Sequence, residues 1–156
     1  MLRHVPRPRF VAALAVALGG CTTVDPGPPF VVPDESFDAD FFFCRVEPEV
    51  LTAKRCGPGE PGTDPANGCH FNSSAVSGMA LADHAPVACE GGRPVNRAQI
   101  GAGSAAQGNL QAASLAMSRD IETAPILLRP LGFNHPRAIF DRSDPAVEVL
   151  RQWAGR

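Results

Sequence analysis

The sequence lacks tyrosine altogether and has only one tryptophan and one lysine among its 156 residues. Glycine and proline together make up about a fifth of the chain, so a small core and many loops are expected. The net charge is −2, and no basic run is longer than Lys54-Arg55, which argues against a nucleic-acid partner. No apolar run reaches the ~20 residues that a membrane-spanning helix needs.

The first 21 residues carry the clearest signal in the chain. Three arginines precede the apolar run Phe10–Leu18, and Leu18-Gly19-Gly20-Cys21 follows it. This arrangement resembles the signal peptide and lipobox of bacterial lipoproteins. The resemblance implies cleavage before Cys21 and acylation of that cysteine. An ordinary secretory signal with a chance cysteine is the alternative.

The lipoprotein resemblance divides the chain into three parts. Residues 1–20 are expected to be removed, residues 21–36 to form an acylated, proline-rich tether, and residues 37–156 to form one domain. Acylated Cys21 would anchor this domain to a lipid bilayer without a transmembrane helix. The absence of aspartate directly after Cys21 resembles lipoproteins sorted to the outer membrane. The predicted location is therefore the cell envelope, at the outer membrane.

Four cysteines remain in the predicted domain: Cys44, Cys56, Cys69 and Cys89. An even number of cysteines in an exported chain predicts two disulfides, which a domain with so small a core needs for stability. Three pairings are open. We expect Cys56–Cys69 first, because this pair would close the glycine- and proline-rich stretch 57–68.

Apolar spacing and capping residues predict a mainly α-helical, loop-rich domain. Pro48 predicts a kink or a new first turn in the first helical stretch. The predicted segments are one or two helices over Asp40–Arg55, a loop over Gly57–Gly68, irregular chain over Asn72–Ser104, a helix over Leu110–Met117 capped by Asn109, a buried turn or extended piece over Pro125–Leu131, and a closing helix from Asp144-Pro145 to Trp153.

The dipeptide Cys69-His70 has the order found at c-type haem sites, where a thiol binds the haem and the next histidine binds iron. Val46–Leu51 before it resembles the helix that precedes the haem site in small bacterial cytochrome c-like domains. The stretch Ala124–Gly132, His135, and the run from Ile139 to Trp153 resemble the closing part of those domains. The resemblance implies a cytochrome c-like fold over residues 37–156.

The chain departs from the family pattern: Ala66 stands where the first cysteine of C-x-x-C-H is expected, and the glycines that usually follow the histidine are displaced to Gly78. Haem c could then be held by Cys69 alone, or by Cys69 together with the distant Cys56. The second arrangement leaves Cys44 and Cys89 to form a disulfide. In either arrangement His70 is the first iron ligand. The candidates for the second are His135, Met117, Met79 and His84.

Two other kinds of site receive less support from the residues. Zinc ligands are present, but no two cysteines have the C-x₂₋₄-C spacing of zinc sites; the residues concerned are Cys44, Cys56, Cys69, His70 and Cys89. A hydrolytic triad lacks the G-x-S-x-G motif; its candidates are Ser73, Ser74, Asp83, His84 and His135.

The sequence therefore predicts a non-enzymatic, membrane-anchored lipoprotein with a degenerate cytochrome c-like domain. The first expected function is a binding or structural role for a haem-free domain that is stapled by disulfides and holds no cofactor. The alternative is a monohaem c-type electron carrier that uses Cys69 and His70. The partners expected are the bilayer, through Cys21, and an envelope protein or redox partner.

Overall fold

The first helix and the closing helix of the domain each supply six of the buried apolar side chains of the core. The computed structural model describes residues 36–59, 61–62, 68–74 and 78–156, all within one unit spanning Asp34–Arg156. The predicted signal peptide, Cys21 and all of the tether except Ser36 lie outside the described residues. None of the described helices is long and apolar enough to cross a bilayer.

Helix α1 (Ala39–Phe41) begins at Asp38, whose Oδ1 accepts a hydrogen bond from the Phe41 amide at 2.9 Å. It continues without a break as a π-helix over Phe42–Thr52. The new first turn predicted as one possibility at Pro48 is wrong, because the helix runs through that residue. Its wider register instead pairs the Ala53 amide with the Pro48 carbonyl at 3.1 Å.

Helix α4 (Pro145–Ala154) begins with the predicted Asp144 cap and first-turn proline. It packs on the first helix through Trp153, which is fully buried. The indole ring lies 5.2 Å from the Phe42 ring and 5.3 Å from the Phe37 ring. Its Nε1–H donates to the Asp38 carbonyl at 3.0 Å, so the tryptophan also satisfies its one polar group.

Helix α2 (Ala105–Leu115) begins five residues earlier than predicted. Ser104 is its cap, since the serine hydroxyl accepts from the Gln107 amide at 3.1 Å. The predicted cap, Asn109, is wrong: this residue is buried inside the helix. Pro125–Leu131 begins with helix α3 (Pro125–Leu128), one turn long, with Ile126 and Leu127 buried.

Short elements connect these helices. The region predicted to be irregular contains a hairpin of β1 (Cys89–Glu90) and β2 (Arg93–Pro94), turned at Gly91-Gly92 with positive φ at both glycines. Single 3₁₀ turns span Arg97–Ile100 and Ile121–Thr123.

One disulfide joins Cys44 of the first helix to Cys89 of β1, with the Cα atoms 5.8 Å apart. It closes a span of 45 residues, which corresponds to about 4 kcal/mol of stabilisation in the chain-entropy account. The predicted mainly helical, loop-rich and disulfide-stapled domain is thus confirmed at this level.

Candidate functional site

Two segments that flank the 57–68 loop are hydrogen-bonded to each other, and we call residues 56–59 and 68–72 the thiol clamp. The His70 amide donates to the Cys56 carbonyl at 3.0 Å, and the Phe71 amide donates to the Gly57 carbonyl at 3.2 Å. Although they are separated in the chain, Cys56 and the dipeptide Cys69-His70 therefore lie side by side. The prediction that the ends of this loop are close is confirmed.

The approach of the two segments depends on glycine at two positions. A Cβ on Gly57 would lie 2.2 Å from the Phe71 ring, and a Cβ on Gly68 would lie 2.2 Å from the Pro58 carbonyl oxygen. Both distances are far inside van der Waals contact. Arg55, with φ of 55°, turns the chain out of the first helix directly before Cys56.

Cys56 and Cys69 are both unpaired. The expectation of two disulfides, with Cys56–Cys69 as the favoured pair, is therefore wrong: the clamp brings the two residues together as thiols, with Cys56 buried and Cys69 exposed. Burial, together with the neighbouring Cys69, raises the pKa of the Cys56 thiol to about 11. At neutral pH Cys56 is consequently a protonated, poorly nucleophilic thiol.

His70 is half-buried, and its Nδ1 lies 2.6 Å from the Met79 carbonyl oxygen. Since a carbonyl only accepts, Nδ1 carries the hydrogen and Nε2 keeps its lone pair. Burial lowers the pKa of His70, and the nearby His135 lowers it further, against the opposing effect of the bond to Met79. The neutral imidazole that results is the form that binds metals.

His135 lies opposite His70. The ring centroids are 6.2 Å apart and the ring planes differ by 16°. The Nδ1 atom of His135 lies 2.6 Å from the Arg137 carbonyl oxygen, so this ring also has its hydrogen on Nδ1. The loop before it is held by Arg129, whose Nη1 donates to the Asn134 carbonyl at 2.7 Å.

The other candidate iron ligands are engaged elsewhere. Met117 is buried in the core, as expected for a core-filling side chain. Met79 packs against the core and offers its carbonyl to His70. His84 uses both ring nitrogens, Nδ1 with the Ala85 carbonyl at 2.7 Å and Nε2 with Glu47 Oε1 at 2.8 Å. Of the four candidates, the structure brings two to His70: Met79 through its backbone carbonyl and His135 through its ring.

The zinc and hydrolase interpretations receive no support from the geometry. Cys44 and Cys89 are consumed in the disulfide. Across the described ranges, no group of three or more His, Cys, Asp or Glu side chains is arranged to hold a metal ion. The acidic hydrogen-bond partner of His84 is Glu47 rather than Asp83.

A buried polar network and a cavity lie beside the thiol clamp, and the sequence analysis missed both. Asn109 Nδ2 donates to Glu47 Oε1 at 2.9 Å, and the same asparagine bonds both the amide and the carbonyl of Ala82. Glu47 and Asn109 are both buried. The network faces a cavity of about 320 Å³. A glutamate among the buried apolar residues of the first helix was the one signal for it in the sequence.

The donor set at the clamp fits one group in particular. Two thiols and two imidazoles, with one of each adjacent in the chain at Cys69-His70, are the residue types that would hold haem c. No family model matches the chain, and no curated protein or solved structure does so either.

Proposed function

We propose that this protein is a membrane-anchored monohaem c-type electron carrier, in which Cys56 and Cys69 attach the haem and His70 and His135 bind its iron. The observation that carries the proposal is which of the cysteines form a disulfide and which remain thiols. Of the four cysteines in the domain, Cys44 and Cys89 form a disulfide outside the clamp. Cys56 and Cys69 remain thiols, and both lie next to His70. Haem c, when bound, supplies a one-electron redox couple.

The thiols have the state that thioether formation requires. Cys56 and Cys69 would each attach the haem by adding S–H across one vinyl double bond, which would form one C–S bond and one C–H bond with no leaving group. Both sulfurs must therefore be reduced. The Cys44–Cys89 disulfide removes the competing cysteines, and the raised pKa of Cys56 slows its oxidation.

The imidazoles have the tautomer that binding of the haem iron through Nε2 would require. A backbone carbonyl accepts from Nδ1 of each ring, which fixes the tautomer and makes Nε2 a better ligand. This hydrogen bonding also holds the two rings nearly parallel across the gap between them. His70 comes from the clamp and His135 from the loop after helix α3, so two separate parts of the chain enclose the site.

The anchoring part of the proposal rests on the sequence. Acylation of Cys21 would hold the domain to the envelope membrane, since each buried acyl methylene contributes about 0.8 kcal/mol and stable anchoring takes more than one chain. The predicted tether lets the domain meet a redox partner on the same surface.

A haem-free binding module is the second candidate function. The cavity beside Glu47 favours it, because none of the clamp thiols or site histidines lines that cavity, and it needs no haem to form. This function requires that purified protein be colourless whatever its source.

The deciding experiment is an absorption spectrum of the full chain exported in a host with haem-maturation machinery. We expect a Soret band, and haem that stays with the protein in denaturing electrophoresis. The Cys56→Ser/Cys69→Ser double variant should lose covalent haem. The matched control is Cys44→Ser/Cys89→Ser, which removes two sulfurs outside the clamp and should keep it. A colourless wild type, or covalent haem in the first double variant, would overturn the proposal.

A further inference from the structure

The cavity beside the first helix has an apolar side and a charged side. Its apolar lining is Phe43, Pro48, Leu51, Phe71, Leu81 and Val87. Its charged lining is Glu47, Asp83 and His84. A concave, mainly apolar site with a few convergent polar groups is the usual form of a small-molecule site. At about 320 Å³ the cavity is roughly twice the 150 Å³ that accommodates benzene in an engineered core.

One carboxylate oxygen of Glu47 is available to a ligand. Oε1 takes both hydrogen bonds of the network, from His84 at 2.8 Å and from Asn109 at 2.9 Å. In the part of the chain that the structure describes, Oε2 accepts no hydrogen bond, and no fully buried side-chain oxygen lacks a partner. Oε2 is therefore accessible, and Glu47 lines the cavity.

The charges on this side of the cavity sum to a negative value. Both nitrogens of His84 face acceptors, the Ala85 carbonyl and the Glu47 carboxylate, so full hydrogen bonding requires the imidazolium. The two carboxylates of Glu47 and Asp83 outnumber this single positive charge. The anionic group of a ligand would repel these carboxylates and exclude water from them. A cationic donor would instead form an ion pair with one of them.

We infer that this cavity is a binding site for a small amine with an apolar body, such as an arylalkylamine. The ammonium group donates to Glu47 Oε2, and the body lies against Leu51, Phe71 and Leu81. Asn109 and His84 hold the carboxylate in place through its other oxygen. The inference does not require haem: the lining takes Gly57, Pro58 and Phe71 from the clamp but includes neither of its thiols and neither His70 nor His135.

The test compares three probes that share a phenylethyl body and differ in the polar group on the purified full chain by titration calorimetry: phenethylamine, phenethyl alcohol and 3-phenylpropionate. We expect saturable binding of the amine, weaker binding of the alcohol, and at least tenfold weaker binding of the acid. Val87→Trp, which fills the cavity, should abolish amine binding. Val95→Trp makes the same change at an exposed position outside the lining and should bind as the wild type does.

The role of the carboxylate is tested separately with Glu47→Gln, which keeps the size of the side chain. The amine should lose about tenfold in affinity and the alcohol much less, so the preference for the amine disappears. Leu81→Phe replaces Val87→Trp if circular dichroism shows that the latter does not fold. Absence of saturable amine binding, equal binding of the acid, or retained binding in a folded cavity-filling variant would overturn the inference.

Discussion

His70 and His135 face each other across 6.2 Å with nearly parallel rings, although 64 residues lie between them in the chain. Each imidazole donates its Nδ1 hydrogen to a backbone carbonyl and is left with a lone pair on Nε2. Both rings therefore have the tautomer that a metal-binding histidine takes when a backbone carbonyl accepts from its other nitrogen.

This relationship predicts different effects for the two histidines in haem-loaded protein. His70→Ala should abolish the Soret band, because it removes the ligand adjacent to the attachment cysteine. His135→Ala should keep covalent haem but change the spectrum and the reduction potential, because only the second ligand is lost.

Met117→Leu is the control for His135→Ala. The methionine is buried in the core, so leucine should preserve its packing and leave spectrum and potential unchanged. Absorption spectroscopy and redox titration measure both quantities. If Met117→Leu shifts the potential and His135→Ala does not, the assignment of the second ligand is wrong.

Local signals in the sequence were sufficient for several features of the fold. Asp144 is followed by Pro145 and then by an apolar stripe, which is the pattern of a capping residue, a first-turn proline and an amphipathic helix. The closing helix and the burial of Trp153 could therefore be predicted. Asn109 was wrongly predicted to cap a helix, because asparagine is often found at that position. In the structure it lies inside a helix and forms hydrogen bonds with Glu47 and Ala82.

The candidate site depends on contacts between distant residues, which no local pattern encodes. Cys56 and Cys69 were recognised as a candidate pair, but their state depends on Cys44 and Cys89 being close enough to bond. The pairing of His70 with His135 depends on where the loop after helix α3 returns. The Glu47–His84–Asn109 network joins three segments that have no common motif.

Gly57 is predicted to be essential for the thiol clamp. Gly57→Ala would place a Cβ within 2.2 Å of the Phe71 ring, so one clamp segment has to move at a cost of about 1–3 kcal/mol. Gly108→Ala is the matched control, because nothing lies within 4 Å of its added Cβ in helix α2. It should raise stability by roughly 0.5–1 kcal/mol. Denaturant unfolding of both variants gives the comparison, and equal stabilities would contradict the account of the clamp.

The cysteine states give a prediction that mass spectrometry can check in haem-free protein. Alkylation of the unfolded chain without reductant should label two thiols of the domain, Cys56 and Cys69, and leave Cys44 and Cys89 linked. The Cys44→Ser/Cys89→Ser variant should lose about 4 kcal/mol of stability, since the bond closes a 45-residue span. Labelling of all four thiols, or of none, would contradict the observed pairing.

The predicted lipid anchor is tested with Cys21→Ala. Because no other residue can accept the acyl chains at that position, the variant should accumulate uncleaved or leave the detergent phase in a phase-partitioning assay. Ser36→Ala, a change at the far end of the predicted tether, should partition as the wild type does. Unchanged partitioning of Cys21→Ala would mean that the protein is not a lipoprotein of this type.

The last prediction concerns the pH dependence of stability, which the pair of His84 and Glu47 should control as the pH rises above ~6.5. Burial lowers the pKa of His84, but hydrogen bonds to Ala85 and Glu47, with the charges of Glu47 and Asp83, outweigh it and raise the pKa above its ordinary value. The folded protein therefore holds this proton more tightly than the unfolded chain. The stabilisation is complete below pH ~6.5 and is lost as the pH rises through the folded-state pKa.

The loss should be less than about 1 kcal/mol, because His84 is partly exposed and solvent screens the pair. The loss is measured by comparing the free energies of unfolding of wild type and Glu47→Gln from pH 6 to 8.5. Taking the difference between the two proteins cancels the contributions that they share. This difference should shrink as the pH rises. Glu49→Gln is the matched control: it removes an exposed carboxylate from the same helix, one that pairs with Arg45, and should leave the wild-type slope in place. If Glu47→Gln also keeps that slope, His84 does not hold its proton through Glu47, and the charge balance inferred for the cavity fails with it.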